Sequence, residues 1–163
     1  MTTMTPDEAF LRLSALCARG EHCRHDALAK MRQWGLSVAE REAVADRLVR
    51  ERYIDEERYC RAFVRDKTVY NKWGRRKVEQ ALWQKHISRD VAAQVLDELT
   101  DADYAGVLLP LLQQKRRSLR GCSDREQRQK LMRFALSRGF TPDIIRQCLD
   151  LSDDEAELLD MDS

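Results

Sequence analysis

Cys17, His22, Cys23 and His25 are the one cluster in this chain that combines metal-ligating residue types at close spacing. A zinc centre needs four such ligands, usually as two pairs at short fixed spacings. No second pair completes this set, so the two cysteines read as small apolar residues near helix ends. Nucleophilic and phosphate chemistry find no better support. The chain carries no glycine-rich phosphate loop, no nucleophile elbow and no HExxH zinc helix. Its three histidines lack a serine or cysteine partner motif. Asp55, Glu56 and Glu57 fall at a helix start, where carboxylates complement the helix dipole. The expectation is a protein that is not an enzyme, with no catalytic residue, no cofactor and no metal.

Charge is the remaining chemistry. The net charge is +1, but the distribution is uneven. From Arg58 to Asp90 ten bases face three acids, a local excess of +7, and a second basic stretch runs from Lys115 to Arg138. Arg58, Arg61 and Arg65 fall on one face of a helical stretch whose other face holds Tyr59, Cys60, Phe63 and Val64. Lys67 and Lys72 follow, and Arg75, Arg76 and Lys77 sit at the start of the next helix. Cations there oppose the dipole, which a purely structural arrangement avoids. These eight residues are the candidate partner-binding set, facing either phosphates or an acidic protein surface. The plain alternative is an ordinary solvated face. Trp34, Trp73 and Trp83 read as packing anchors between helices rather than base-stacking platforms.

These residues must be positioned by helices, since strand signals are almost absent. Gly and Pro number only 6 and 3, and 35% of residues are charged, a composition that suits helices with solvated faces. A short phrase occurs three times: Trp34-Gly35-Leu36-Ser37, Lys85-His86-Ile87-Ser88 and Arg138-Gly139-Phe140-Thr141. A period near 50 residues signals a repeat architecture. Gly35 and Gly139 stand where a helix end needs a left-handed residue, and His86 takes that place in the second copy. Helix starts are marked by capping boxes at Thr5, Ser37 and Ser123 and by further caps at Asp55, Ser88, Thr100 and Thr141. Nine helices result, over 5–19, 24–34 and 38–51, then 55–69, 74–86 and 89–99, then 101–119, 124–138 and 142–149. Pro110 predicts a kink or break in the seventh.

The expected fold is all-α, with three tandem three-helix repeats forming an elongated, curved body. The repeats cover residues 1–51, 52–99 and 100–149. Residues 150–163 form an acidic C-terminal tail with seven acids and no base. That tail reads first as a solvated, disordered end, or as a frayed helix carrying Leu158, Leu159 and Met161 among its acids. A second reading folds it back on a basic face as an electrostatic decoy. Five cysteines without a CxxC suggest no disulfide framework. No signal peptide is visible and no stretch is long and apolar enough for a membrane span. A cytoplasmic monomer is therefore the expectation.

Residues 55–65 (Asp-Glu-Glu-Arg-Tyr-Cys-Arg-Ala-Phe-Val-Arg) and 74–87 (Gly-Arg-Arg-Lys-Val-Glu-Gln-Ala-Leu-Trp-Gln-Lys-His-Ile) resemble the RecX regulators of the RecA recombinase. The outer phrases at Trp34-Gly35-Leu36 and Arg138-Gly139-Phe140 resemble the equivalent places in that family's other repeats. His86 departs from a usual glycine, Ala81 stands where an acid is common, and Pro110 and the acidic tail have no counterpart in the pattern. The resemblance implies three helical repeats and binding along the groove of the RecA–DNA filament. It also implies inhibition of recombinase, ATPase and coprotease activity, modulating recombination, DNA repair and the SOS response. The partner it implies is the RecA nucleoprotein filament, with direct DNA contact left open. Two other functions fit the same bulk features. One is a nucleic-acid-binding protein of Myb-like three-helix units, although no recognition helix repeats its polar residues. The other is a helical adaptor for a different protein.

Overall fold

A computed structural model describes residues 4–151 and 153–161. Ten helices and no strand occur among the described residues: α1 (Pro6–Arg19), α2 (Arg24–Gln33), α3 (Val38–Arg50), α4 (Glu56–Val69), α5 (Arg75–Gln84), α6 (Arg89–Leu96), α7 (Asp101–Arg117), α8 (Asp124–Ser137), α9 (Pro142–Cys148) and α10 (Asp153–Met161). The all-α class and the tandem three-helix order α1–α3, α4–α6, α7–α9 are as the sequence reads.

The thrice-repeated phrase has a single physical meaning. Gly35, His86 and Gly139 all adopt left-handed backbone, at φ of 86°, 59° and 92°. After each, an apolar residue donates its N–H back five residues: Leu36 to Met31, Ile87 to Leu82 and Phe140 to Ala135, at 3.1, 3.2 and 3.2 Å. This bonding closes the orphan carbonyls of a helix end. The same three residues are buried, at 2%, 7% and 1% exposure. The next position caps the following helix: Ser37 Oγ accepts from Glu40 N–H, and Ser88 Oγ from Val91 N–H, both at 3.2 Å. The phrase therefore stops one helix, anchors the turn in a core and starts the next. Thr141 departs from the pattern: its side chain makes no cap bond, and Pro142 at the first helical position takes over the start. Arg52 and Lys72 also turn left-handed, at φ of 63° and 58°, without any local sequence signal.

Thr5 and Ser37 form reciprocal capping boxes with Glu8 and Glu40. Thr100 forms one with Asp103, at 3.2 and 2.8 Å. Ser123 accepts from Glu126 N–H at 3.2 Å, one half of the box expected there. Pro110 does not break α7, which runs continuously from Asp101 to Arg117. Pro110 lacks an N–H to reach the carbonyl of Gly106, and both residues lie on the exposed side of α7, so that carbonyl is not buried without a partner. The acidic end is not a solvated coil either. Its residues 153–161 form α10, with Leu159 at 1% and Glu155 at 4% exposure.

The chain packs as two compact units. The first comprises residues up to Phe63 together with Leu82–Ala92, and the second comprises Val64–Ala81 together with residues from Ala93 onward. The helices of the middle repeat are thus shared: each of α4 and α5 contributes part of its length to each unit. In the first unit, Phe10, Leu13, Met31 and Leu48 centre the core. Arg47 lies over the Phe10 ring at 3.7 Å, and Tyr53 meets the same ring edge-on at 5.7 Å. In the second, Leu108, Leu131, Phe140 and Ile145 centre the core, and Leu159 of α10 joins them.

Candidate functional site

Helix α4 is amphipathic as its spacing predicts. Cys60 and Val64 are buried at 0% and 3%, while Arg58, Arg61 and Arg65 face outward. Two of the three arginines are already engaged within the first unit. Arg58 Nε pairs with Glu21 at 2.5 Å, and its NH2 nitrogen donates to the carbonyls of Arg52 and Tyr53, both at 3.2 Å. It ties α4 to the turn before it. Arg61 pairs with Glu57 one turn earlier at 3.1 Å.

The other six candidates, Arg65, Lys67, Lys72, Arg75, Arg76 and Lys77, belong to the second unit. There the structure resolves the puzzle of cations at a helix N-terminus. The backbone N–H of Gly74 donates to Arg138 O at 2.7 Å, and that of Arg76 donates to Gly139 O at 3.0 Å. The carbonyls of the turn that ends α8 thus accept from N–H groups at the start of α5, where such groups lack intrahelical partners. The approach is close enough to require glycine on both sides. A Cβ at Gly74 would collide with the backbone of Gly139 and Phe140, and one at Gly139 with the backbone of Lys77. Arg138 reinforces the seam by donating to Asn71 O at 3.3 Å.

Within this seam the cations divide. Arg75 is structural in position: it binds Asp97 at 2.7 Å and approaches Glu79 at 4.0 Å. Lys67 and Lys77 converge on Trp73, with ammonium groups 5.2 and 4.6 Å from its ring centroid. The aromatic quadrupole attracts both charges. Arg65, Lys72 and Arg76 are exposed and form no ion pair among the described residues. Lys72 is held on a left-handed turn whose next residue, Trp73, donates its N–H to Lys67 O at 3.0 Å. The second unit therefore presents two cations against one indole and, at Arg65, Lys72 and Arg76, three exposed ones without an ion pair among the described residues. Sequence reasoning found the charges but missed Trp73 as their organiser. Trp73 lies between α4 and α5, and its six-residue spacing from Lys67 is not one a single helix would display.

Trp34 and Trp73 are half-buried, with Arg12 lying 5.6 Å from the Trp34 ring. Trp83 is not the packing anchor its type suggested. It is 67% exposed, because the buried stripe of α5 is set by Val78 and Leu82, both at 0%. The Cys17–His25 cluster does not converge. Cys23 is buried at the start of α2, His25 stacks on His86 at 4.3 Å, and no three His, Cys, Asp or Glu residues are grouped to hold a metal among the described residues. Burial pushes the thiols of Cys17, Cys23 and Cys148 upward, which disfavours the thiolate form. Asp26 pairs instead with Lys85 at 2.8 Å. No helix among the described residues is long and apolar enough to cross a membrane.

The chain matches two family descriptions, "RecX, second three-helix domain" over residues 55–96 and "RecX, third three-helix domain" over residues 103–149. It is 32% identical over 130 residues to the "Regulatory protein RecX" of Prosthecochloris aestuarii, covering 80% of this chain and 83% of that one. It is also 32% identical over 145 residues to the protein of the same name from Leptothrix cholodnii, covering 88% and 87%. Its fold is similar to the crystal structure of RecX from Lactobacillus salivarius, with a TM-score of 0.77 at 18% identity over 96% of this chain and 97% of the other.

Proposed function

Since this chain belongs to the RecX family, we propose that it is a negative regulator of the RecA recombinase. It binds in the groove of the RecA–DNA filament and inhibits recombinase, ATPase and coprotease activity, and so modulates recombination, repair and the SOS response. It works by binding rather than by catalysis, as a cytoplasmic monomer.

The observation that carries this reading within the molecule is the cationic surface of the second unit. Arg65, Lys72 and Arg76 have no carboxylate partner among the described residues, and Lys67 and Lys77 rest on Trp73. Leaving several cations uncompensated on one surface costs self-repulsion, and an anionic partner relieves it. A nucleoprotein filament offers both acidic protein patches and DNA phosphates, so these five residues are the proposed contact. Arg58, Arg61 and Arg75 already have carboxylate partners and are not part of the proposed contact.

The test is RecA ATPase on single-stranded DNA, titrated with this protein against RecA of the same organism. Inhibition well below one molecule per RecA subunit supports filament regulation by capping or disassembly. Unaltered turnover with intact filaments rejects the proposal.

A further inference from the structure

Helix α10 is too short to stand alone, although its Glu, Ala and Leu residues favour helix and its first-turn acids suit the dipole. It has nine residues, and isolated helices that short do not persist in water. Asp153, Asp154, Glu155, Glu157 and Asp160 crowd onto it with no base, so like charges face each other one turn apart at Asp153 and Glu157. Asp160 sits in the last turn, where a carboxylate opposes the dipole. The helix exists because it is docked, so its undocking and its unfolding are one event.

The docking is narrow and specific. Only Glu155 and Leu159 are buried, one turn apart on one face, while Leu158 and Met161 remain 46% and 80% exposed. The two oxygens of Glu155 accept from Arg128 Nε of α8 at 2.9 and 3.1 Å. Leu159 enters the apolar cluster that includes Leu131, Ile145 and Leu149. Arg146 of α9 pairs with Asp160 and, at 2.8 Å, with Asp143 on its own helix. A helix serving only to close a core would bury more apolar side chains and no carboxylate. A buried carboxylate is tolerated only opposite a fixed cation, so this face demands a carboxylate four residues before an aliphatic side chain.

We infer that the α8–α9 face beneath α10 is a docking site for an acidic amphipathic helix of a partner protein, with α10 occupying it as an internal stand-in. Such helix-in-groove recognition is read by anchors one turn apart, and charge complementarity at Arg128 and Arg146 selects an acidic helix over a neutral one. Joined to α9 by a short linker, α10 competes at a millimolar effective concentration. A partner helix therefore gains the groove only when it binds tightly or when α10 is modified.

The experiment uses full-length chains and one probe, a fluorescein-labelled peptide of residues 151–163, followed by anisotropy. The receptors are the unaltered chain, the Glu155→Ala/Leu159→Ala variant, whose own α10 no longer fits the groove, and that variant with Arg128→Ala added. The double variant is expected to bind the peptide at least about tenfold more tightly than the unaltered chain, since the tethered competitor is gone. Adding Arg128→Ala should abolish that gain. Equal weak binding to the unaltered chain and a folded double variant overturns the inference. Loss of cooperative melting in the double variant also overturns it, because the rest of the unit then needs α10 in order to fold. Displacement of the peptide by oligothymidylate in preference to unlabelled peptide would assign the face to phosphate and refute the protein-helix reading.

Discussion

Replacing Gly74 with alanine tests the joint on which the cationic surface rests. The new methyl group would meet the backbone of Gly139 and Phe140, which has no flexible side chain to move aside. The two segments must separate, and two hydrogen bonds go with them: Gly74 N–H to Arg138 O at 2.7 Å and Arg76 N–H to Gly139 O at 3.0 Å. Each such bond contributes about 1 kcal/mol net, and overpacking at a rigid contact costs about 1–3 kcal/mol. The expected loss is about 3–5 kcal/mol, a fall in melting temperature of roughly 6–20 °C for a chain of this size. Gly106→Ala is the matched control. Gly106 lies inside α7 with nothing within 4 Å of an added Cβ, so the same change should stabilise by about 0.5–1 kcal/mol through helix propensity. Urea unfolding followed by circular dichroism reads both variants, and hydrogen exchange at the amides of residues 74 and 76 localises the effect. A loss below about 0.5 kcal/mol at Gly74, with those amides still protected, would refute the argument; so would an equal loss at Gly106.

Three further outcomes follow from particular contacts. Charge reversal of Arg65, Lys72 and Arg76 together should weaken RecA inhibition without lowering the melting temperature, whereas Arg75→Ala, which breaks the Asp97 pair, should cost about 0.5 kcal/mol of stability and leave inhibition intact; the reverse pattern would misplace the surface. Burial alone would push the Asp26 carboxyl up, but hydrogen bonds from Lys85 and Cys23 hold it below its ordinary 3.8, and bonding to Asp26 raises Lys85 above 10.5. Because Asp26 is depressed and Lys85 raised, the pair stabilises between those two values and is lost as pH falls through the lowered Asp26 value. Lys85→Ala should therefore cost about 0.5 kcal/mol at neutral pH for this partly exposed pair, and urea midpoints of variant and unaltered chain should converge below pH 3.8; a constant gap at low pH contradicts this. Pro110→Ala should stabilise α7 by about 1–2 kcal/mol, as the restored N–H bonds Gly106 O, and a lower melting temperature would show that the proline fits better than its type suggests.

How far the sequence reached is clearest at the turns. Gly35, Ser37, Gly139 and the capping pairs at Thr5 and Thr100 act through neighbours three to five residues away, so their roles are legible in the chain itself. His86 was legible from its place in the repeated phrase, even though its type is a poor choice for left-handed backbone. Arg52 and Lys72 were not, since nothing in their type calls for a positive φ. Trp83 misled because residue type predicts burial only on average, and the stripe of α5 leaves it outside. The acidic end misled for a related reason: composition reports like-charge repulsion along the chain, while Arg128 and Arg146, which overcome it, are distant in sequence.

The sequence by itself determined the all-α class, the threefold helix–turn–helix order and nearly every helix start, because capping, propensity and left-handed turns are local interactions. Only the tertiary structure decided which cations are spent internally, that the turn ending α8 meets the start of α5 through the glycines at 74 and 139, and that the middle repeat is divided between two compact units. Repetition is a property of the chain, set over spans of a few residues. Packing is set by side chains that meet across tens of residues, and that pairing is not written in any single segment.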